Sequence, residues 1–474
     1  MIRFNRETLR DKVYACWLGK NIGGTLGGPF EWTKGINNCT GFTSEPGNPL
    51  PNDDLDLQLV WLKAMEELGP NCVDAKALGE YWIEYVTPFW NEYGISKANM
   101  KHGLVPPLSG QYKNFWKNSN GAWIRTEIWA TLFPGDVEKA IYYACEDASV
   151  DHGNAEGTFA AIFVAAIESA AFIFDDLRSL IEMGLSKIPQ KCEVYKYITT
   201  VLDCFDSGKT WQEARNLLVD MSLANENLGW FQAPANVGYA IIGLLYGMND
   251  FKETLLIACN CGDDTDCSCA TAGSILGIMY GTSIIPDDWR EYIGDTIVTI
   301  SVNVGAMTVP KTCTELTDRI MALQPVTLYN SNVSVNDEES LISGIDLAEY
   351  SGRGFASRLA TRSEYYVTYK SILVDALVEY DHAPEIEPGG NIKIKISLKP
   401  NFPSQKIFSI QWYLPEGFSV RGQSTISALW QDFRAGSEYE ITAPEKVEGK
   451  NLMIAVISCE GHFSTLQIPI TLLG

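Results

Sequence analysis

The sequence predicts a two-domain protein in which an all-α domain, residues 1–323, precedes an all-β sandwich, residues 324–474. Three observations lead to this prediction. A chain of 474 residues is too long for a single hydrophobic core. Up to about Leu323, apolar residues recur at helical spacing in one segment after another. After Pro325 they alternate with polar residues at period two, between turns rich in Pro, Gly and Asn.

The charge balance of the chain argues against several classes of partner. There are 36 basic and 59 acidic residues, which give a formal charge of -23. This is the wrong sign for binding nucleic acid or an anionic membrane surface. The polar N-terminal segment has no signal-peptide core, and the most apolar window, Thr158 to Phe174, is interrupted by Glu168 and Ser169. We therefore expect a cytoplasmic protein without a membrane span, whose 12 cysteines are reduced.

The first element predicted is a helix from Arg6 to Gly28 that is amphipathic in its first half and rich in glycine in its second half. Glycines on one helix face permit close helix contact, at a cost in helix propensity. The helix leads into Glu31, whose carboxylate is thereby placed just past a tightly packed element. Taken alone, Glu31 is most simply a solvated loop acid.

The second predicted helix begins at Asn52 or Asp53, either of which is a good N-cap. Its apolar stripe contains Leu55, Leu59 and Leu62. One acid suffices for a cap, so the presence of Asp53, Asp54 and Asp56 together indicates a second role.

The middle of the helical half is less specific. Residues 81–129 are rich in aromatic side chains, which either wall a pocket for a flat or sugar-like ligand or belong to the core. The His152-Gly153 step between two predicted helices is either a turn with a satisfied histidine or part of a site. Residues 177–225 continue as helices, a helix rich in small residues is predicted at 236–248, and residues 251–258 lead into the next segment.

An acid-rich segment from Cys259 to Gly281 carries Asp263, Asp264 and Asp266 directly before a helix of small and apolar residues. Buried anions are costly unless they are paired or bind a cation, and clusters of oxygen ligands suit Mg²⁺. A thiolate site for a softer metal is the alternative, although the spacing departs from the usual C-x2-C. The cysteines concerned are Cys259, Cys261, Cys267 and Cys269.

The C-terminal half contains several short runs of strand character, which favour an antiparallel sandwich of the immunoglobulin-like type. The segment 326–341 is either a linker or a first strand. This half has no cluster of catalytic residue types, so we expect it to be a structural or binding accessory. The predicted strands are Asn391 to Lys399, Phe408 to Tyr413, Tyr439 to Thr442, Leu452 to Ser458 and Leu466 to Leu472.

Several of these motifs, in this order, resemble those of the ADP-ribosylglycohydrolase family. The segment Asn260 to Cys267 resembles the family's N-x-G-G-D-T-D-T, and the segment Asn52 to Asp54 resembles its T-D-D. The segment Gly19 to Glu31 resembles the opening G-x-x-x-G-D-x-x-G-x-P-x-E. Weaker middle motifs match at Asn120-Gly121-Ala122 with Arg125, and at His152-Gly153. The resemblance extends over roughly residues 8–282 and leaves out the strand-rich half.

The resemblance implies an all-α glycohydrolase that cleaves a bond at the anomeric carbon of ribose with the help of two Mg²⁺ ions. Such ions make a cluster of carboxylates tolerable. Metal ligands are then expected at Asn52, Asp53, Asp54, Asp264, Asp266 and Cys267. Catalytic roles are expected for Glu31, Asp54 and Asp264. Substrate-binding roles are expected for Asn120, Gly121, Ala122, Arg125 and His152.

The chain also departs from the family motifs. Asn52 and Cys267 each replace a Thr, Asp263 replaces a Gly, and Gly24 replaces an Asp. One metal position is therefore expected to be weakened, or rebuilt around Asp263 or Asp56. The expected substrate is an ADP-ribosyl or related ribosyl or furanosyl glycoside, either a small molecule or protein-linked. The alternative is a catalytically silent relative that acts as a binding or structural protein.

Overall fold

The computed structural model describes residues 2–225, 229–342, 344–352, 359, 362–430 and 433–474. The chain divides into two compact units. The helical unit comprises residues 1–94 and 114–360, and the sandwich unit comprises residues 95–113 and 361–474. The predicted order, an all-α domain followed by antiparallel sheets, is confirmed.

Helices dominate the chain up to residue 327. In order they are α1 (Arg6–Gly27), α2 (Asp53–Leu68), α3 (Ala75–Tyr85), α4 (Asn91–Lys101), α5 (Leu108–Gln111), α6 (Glu127–Leu132), α7 (Val137–Asp151), α8 (Glu156–Ala171), α9 (Leu177–Ser186), α10 (Glu193–Asp206), α11 (Trp211–Ala224), α12 (Ala233–Tyr246), α13 (Phe251–Asn260), α14 (Thr265–Tyr280), α15 (Asp287–Ile293) and α16 (Cys313–Thr327).

Helices α1 and α14 pack backbone to backbone, as the glycine pattern of α1 predicts. A Cβ atom at Gly19, Gly23 or Gly27 would overlap the backbone of α14 at Gly273, Cys269 or Thr265 respectively. The pairing runs antiparallel, so the C-terminal end of α1 meets the N-terminal end of α14. The glycines are thus required by close approach, and their packing outweighs their poor helix propensity.

The N-terminal end of α2 fits beside the same contact. The Asn52 side chain caps α2 by accepting from the Asp54 N–H at 2.8 Å. Its amide nitrogen lies against Gly24, where a Cβ atom would overlap it. Gly24 therefore makes room for Asn52, which gives a physical reason for two of the departures from the family motifs.

The helical unit continues past residue 323, the predicted domain boundary. That position falls inside α16, which runs on through Pro325 in its last turn to Thr327. A short strand β2 (Val333–Asn336) then pairs in parallel with the N-terminal strand β1 (Ile2–Asn5). The segment 326–341 therefore holds the end of a helix and a strand of the helical unit.

The sandwich unit has two antiparallel sheets around one hydrophobic core. Their strands are β3 (Tyr365–Tyr369), β4 (Val374–Tyr380), β5 (Asn391–Pro400), β6 (Lys406–Tyr413), β7 (Ser419–Arg421), β8 (Thr425–Ala428), β9 (Ala435–Thr442), β10 (Lys450–Cys459) and β11 (Leu466–Leu473). The sheets have the orders β3-β4-β5-β9-β7 and β11-β10-β6-β8. Leu104, Leu108 and Tyr112, from the early segment of this unit, belong to the same core.

No single helix in the described residues is both long and apolar enough to cross a membrane. The segment Thr265–Ile284, taken together with Asp287–Ile293 across a bend of 112°, meets the same criterion by length and composition only.

Candidate functional site

A cavity of about 430 Å³ lies in the helical unit where the end of α1 meets the N-terminal ends of α2 and α14. Free N–H groups and the helix dipole favour anions at these two N-terminal ends. Carboxylates line the cavity at Glu31, Asp53, Asp54, Glu92, Asp264 and Asp266. In the sequence, more than two hundred residues separate Asp54 from Asp264, and the α1–α14 contact brings the two ends of the helical unit together.

Three of these carboxylates form an oxygen-only group. One oxygen each from Glu31, Asp264 and Asp266 lies within 4.8 Å of the others. Asp264 is oriented by Asn120, whose side-chain amide donates to it at 2.6 Å. The backbone N–H of Asp264 also donates to the Asn236 side chain at 3.2 Å, which fixes the backbone at this position. This geometry suits a hard cation such as Mg²⁺.

A second group adjoins the first and shares Asp266 with it. Ligand atoms from Asp54, Asp266 and Cys267 also lie within 4.8 Å of one another. Asp54 is fully buried, and its second oxygen lies 3.6 Å from the ammonium group of Lys20. Lys20 is itself fully buried and pairs with Glu127 at 2.8 Å.

Two further predicted ligands have protein partners. Asp53 lines the cavity and accepts from the Tyr93 hydroxyl at 3.0 Å. The Asn52 oxygen accepts from the Asp54 N–H, so in this arrangement it serves as the cap of α2.

The two acids proposed as replacement ligands are engaged elsewhere. Asp263 pairs with Lys34 at 2.6 Å and accepts from the Asn236 side chain. Its φ of 67° lies in the left-handed region, which explains why the family motif has Gly at this position. Asp56 accepts from the backbone N–H groups of Ile300 and Ser301. Neither carboxylate belongs to a ligand group among the described residues.

Buried carboxylate oxygens that accept no hydrogen bond indicate that the cavity fits a cation. Among the described residues, one oxygen of Asp54 and one of Asp266 are buried and accept no hydrogen bond. A buried carboxylate oxygen in this state is costly unless it binds a cation. The residues present therefore fit a divalent metal.

The electrostatics point the same way. Burial, and then repulsion from Asp266, raises the pKa of Glu31 to about 8 and that of Asp53 to about 6. Burial also raises the pKa values of Asp54 and Asp264 well above their usual range. A bound divalent cation favours the charged forms and opposes all of these shifts.

The predicted substrate-binding residues divide into two sets. Asn120 and Gly121 line the cavity. Ala122, Arg125 and His152 are fully buried and do not belong to the cavity lining in the described part of the chain.

Arg125 and His152 form a buried network next to the loop that carries Asn120 and Gly121. Arg125 pairs with Asp147 at 2.9 Å and with Asp151 at 2.8 Å, and it donates to the Gly121 carbonyl. One ring nitrogen of His152 lies 2.8 Å from Asp151, and the other lies 3.3 Å from the Ser119 hydroxyl. These contacts fix the loop that carries Asn120 and Gly121.

The aromatic residues take both of the predicted roles. Trp90 and Tyr93 line the cavity, whereas Trp82, Trp123 and Trp129 are fully buried core residues. Two aromatic residues outside the predicted segment, Trp32 and Phe231, also line the cavity, with their ring centroids 4.5 Å apart. Trp32 is 59% exposed, so it offers a face to a ligand.

Sequence reasoning missed Lys20, Glu92 and Ser119. Lys20 is the lone cation in the buried second half of α1, and a charge in that position required a buried partner. Its partner, Glu127, is more than a hundred residues away, so the ion pair could not be predicted from the sequence. For Glu92 and Ser119 the sequence carries no signal that singles them out.

The fold and the cavity together define the class of the protein: an all-α unit with a carboxylate site at the meeting point of helix ends. Residues 5–325 match the family model described as ADP-ribosylglycohydrolase. The chain belongs to the ADP-ribosylglycohydrolase family, as its motifs predicted.

Individual relatives match only short segments. The chain is 37% identical over 54 residues to the ADP-ribosylarginine hydrolase Tri1 of Pseudomonas putida (strain GB-1), covering 11% of this chain and 15% of that protein. It is 40% identical over 52 residues to the protein of the same name from Serratia proteamaculans (strain 568), covering 11% and 14%. A solved ADP-ribosylglycohydrolase-related protein complex aligns at 17% identity and a TM-score of 0.44, over 68% of this chain and 99% of that one.

Proposed function

We propose that this protein is a Mg²⁺-dependent glycohydrolase that cleaves an N- or O-glycosidic bond at the anomeric carbon of an ADP-ribosyl or related furanosyl substrate. The observation that carries the proposal is the pair of adjoining ligand groups around Asp266 in a cavity of about 430 Å³. A cavity of this size is suited to a nucleotide-sized ligand. Family membership supports the reaction class, and the proposed substrates include both small-molecule and protein-linked glycosides.

The two groups that share Asp266 would hold the divalent metal, which when bound would supply Lewis-acid chemistry. The protein supplies orientation. Asn120 holds Asp264 by a hydrogen bond, so this carboxylate presents a fixed oxygen to the cavity. Glu31 reaches the cavity from the end of α1 and is half-exposed, so we assign it proton transfer or positioning at the scissile bond.

The aromatic lining supports a substrate with flat groups. Trp32, Trp90 and Phe231 surround the carboxylates with apolar surface on which a base or a sugar ring can stack. Two relatives that match short segments of the chain are named ADP-ribosylarginine hydrolases. ADP-ribosylarginine is therefore one candidate substrate.

The proposal is tested with a substrate panel and a charge-removing variant. ADP-ribosylated protein, ADP-ribose derivatives, nucleosides and furanosides are incubated with the protein, with and without Mg²⁺. The double variant Asp264→Asn, Asp266→Asn is expected to lose at least about 100-fold in kcat/KM, because it removes ligands from both groups. Asp203→Asn, the same change at an exposed helix position, should leave the activity unchanged.

Three results would count against the proposal. Hydrolysis at the same rate with and without Mg²⁺ would refute the proposed dependence on the metal. Activity on free nucleosides alone would overturn the ADP-ribosyl preference. A folded protein that binds Mg²⁺ and a ligand from the panel, but turns over none of them, would favour the catalytically silent relative.

A further inference from the structure

The thiol of Cys267 faces the carboxylates of the cavity. Cys267 stands in the first turn of α14, is 5% exposed, and belongs to the cavity lining. Its sulfur donates to Asp54 at 3.4 Å. Ligand atoms from Asp54, Asp266 and Cys267 are mutually within 4.8 Å. A proton on sulfur thus occupies the place that a cation shared by these three side chains would take.

A second observation, independent of the cysteine, points to a cation at this position. Asp54 is 0% exposed and Asp266 is 8% exposed, yet each has a buried oxygen that accepts no hydrogen bond among the described residues. Lys20 lies near Asp54, but at 3.6 Å its ammonium group is beyond hydrogen-bonding range.

The two ligand groups that meet at Asp266 differ in chemistry. The group with Glu31 and Asp264 offers only carboxylate oxygens, whereas the group with Asp54 includes a sulfur. Oxygen ligands suit Mg²⁺, and thiolates select softer ions such as Zn²⁺. Because Asp266 is common to both groups, the cavity has two adjoining positions with different preferences.

We propose that the position between Asp54, Asp266 and Cys267 is a mixed carboxylate–thiolate site that prefers Zn²⁺ to Mg²⁺, while the oxygen-only position prefers Mg²⁺. The inference rests on the proposed function only in that the cavity binds divalent cations. On binding, the S–H bond of Cys267 breaks, a sulfur–metal bond forms, and one proton leaves for solvent. No electrons are transferred.

The test uses Cd²⁺ as a thiophilic spectroscopic probe on the full-length chain. All proteins carry Cys72→Ser, because Cys72 is an exposed thiol that would bind the probe outside the site. Titration with Cd²⁺ is expected to produce a thiolate-to-cadmium charge-transfer absorption that saturates at one equivalent. Cys267→Ser should abolish this absorption. Cys269→Ala, which removes a fully buried thiol two residues along the same helix, should retain it.

Calorimetry on the same proteins measures selectivity without reference to activity. Cys267→Ser is expected to weaken Zn²⁺ binding by at least about tenfold, because it removes a ligand, and to change Mg²⁺ binding much less. Cys267→Thr restores the oxygen of the family motif and should shift the preference towards Mg²⁺. This second variant keeps the test informative if Cys267→Ser does not fold.

The outcomes separate the two proposals. If Mg²⁺ binds and both Cys267 variants keep the Zn²⁺ affinity of the unmodified protein, the mixed site is refuted and the proposed function stands. If the absorption survives in Cys267→Ser but is lost in Cys269→Ala, the thiol ligand lies elsewhere and the inference is again refuted. If the unmodified protein binds no divalent cation, both the mixed site and the metal-dependent function are overturned.

Discussion

At the scale of single residues, Lys20 shows how this site tolerates its charge. Its ammonium group is fully buried, pairs with Glu127, and donates to the Ile124 carbonyl at 2.6 Å. Burial alone would lower the pKa of Lys20, but the neighbouring carboxylates of Glu127 and Asp54 outweigh it and raise that pKa. Lys20 is therefore a permanent cation beside Asp54, which lines the cavity.

Replacement of this cation is the first prediction for stability. Lys20→Met leaves buried carboxylates uncompensated, so we expect the free energy of unfolding to fall by about 3–5 kcal/mol in urea denaturation. Glu168, whose pKa burial already raises well above the usual range, lies in the same cluster. An acid with a raised folded pKa holds its proton in the native state, so stability falls as pH rises. The loss of stability caused by Lys20→Met should therefore be larger at pH 8 than at pH 5.

The control is the double variant Lys20→Met, Glu127→Gln. It removes the ion pair from both sides, so it should recover part of the loss, about 1 kcal/mol or more. A single variant as stable as the unmodified protein would show that Lys20 does not balance the cluster.

The sequence allowed most of the site acids to be placed, and the reason is local. Asp54 and Asp264 stand beside helix N-termini that can be read from capping residues and apolar periodicity. Cys267 and Asp263 could be marked as departures, but only φ and side-chain contacts show that Asp263 pairs with Lys34 while Cys267 faces the cavity. Partners far apart in the chain, such as Lys20 and Glu127, have no local signal.

At the scale of elements, the α1–α14 contact determines where the carboxylates meet. Its glycines were predicted to permit close helix packing, and they do so on α1 at one position per turn. The helix against which they pack was not predictable, because any helix with small residues would satisfy the pattern. The contact fixes the register of Glu31 relative to Asp264 and Asp266, since all three lie at the ends of these two helices.

A methyl group in this contact is the second stability prediction. Gly23→Ala places a Cβ atom against the backbone of Cys269, which cannot move aside as a side chain would. We expect a loss of about 1–3 kcal/mol in the free energy of unfolding, measured by denaturation. Divalent-cation affinity should weaken as well, because the two ends of the site are pushed apart.

Gly28→Ala is the matched control. Gly28 adjoins the end of α1 with helical φ and ψ, and the nearest atom to a new Cβ there is a Leu50 methyl carbon at 3.9 Å. Its stability should stay within about 0.5 kcal/mol of the unmodified protein, or rise slightly. Equal losses in the two variants would show that the close approach at Gly23 is not the cause.

At the scale of the whole molecule, the two units are interleaved in sequence. Residues 95–113 lie between parts of the helical unit but belong to the sandwich unit, where Leu104 and Leu108 are part of its core. The sequence predicted both kinds of secondary structure, yet a single boundary at 323. It could not reveal that residues 95–113 belong to the sandwich unit, because apolar residues at helical spacing do not show which core they enter.

Truncation tests this arrangement. A chain ending at residue 360 keeps Leu104, Leu108 and Tyr112 but loses the strands they pack against. We expect it to bind a hydrophobic dye such as ANS and to aggregate, because a contiguous apolar surface is exposed. A second chain in which a Gly/Ser linker also replaces residues 95–113 should bind less dye. The prediction fails if the first truncated chain stays monomeric and binds no more dye than the full-length protein.

The place of residues 95–113 in the sandwich unit also has a consequence for biosynthesis. Residue 361 is made 248 residues after residue 113, by subtraction of the boundaries of the sandwich unit. At translation rates of about 5–20 residues per second, this interval lasts roughly 10–50 s. During that time Leu104 and Leu108 lack the strands with which they form the core, so their apolar side chains stay unprotected in the nascent chain. Slower synthesis of the C-terminal half would lengthen this exposure and lower the yield of native protein.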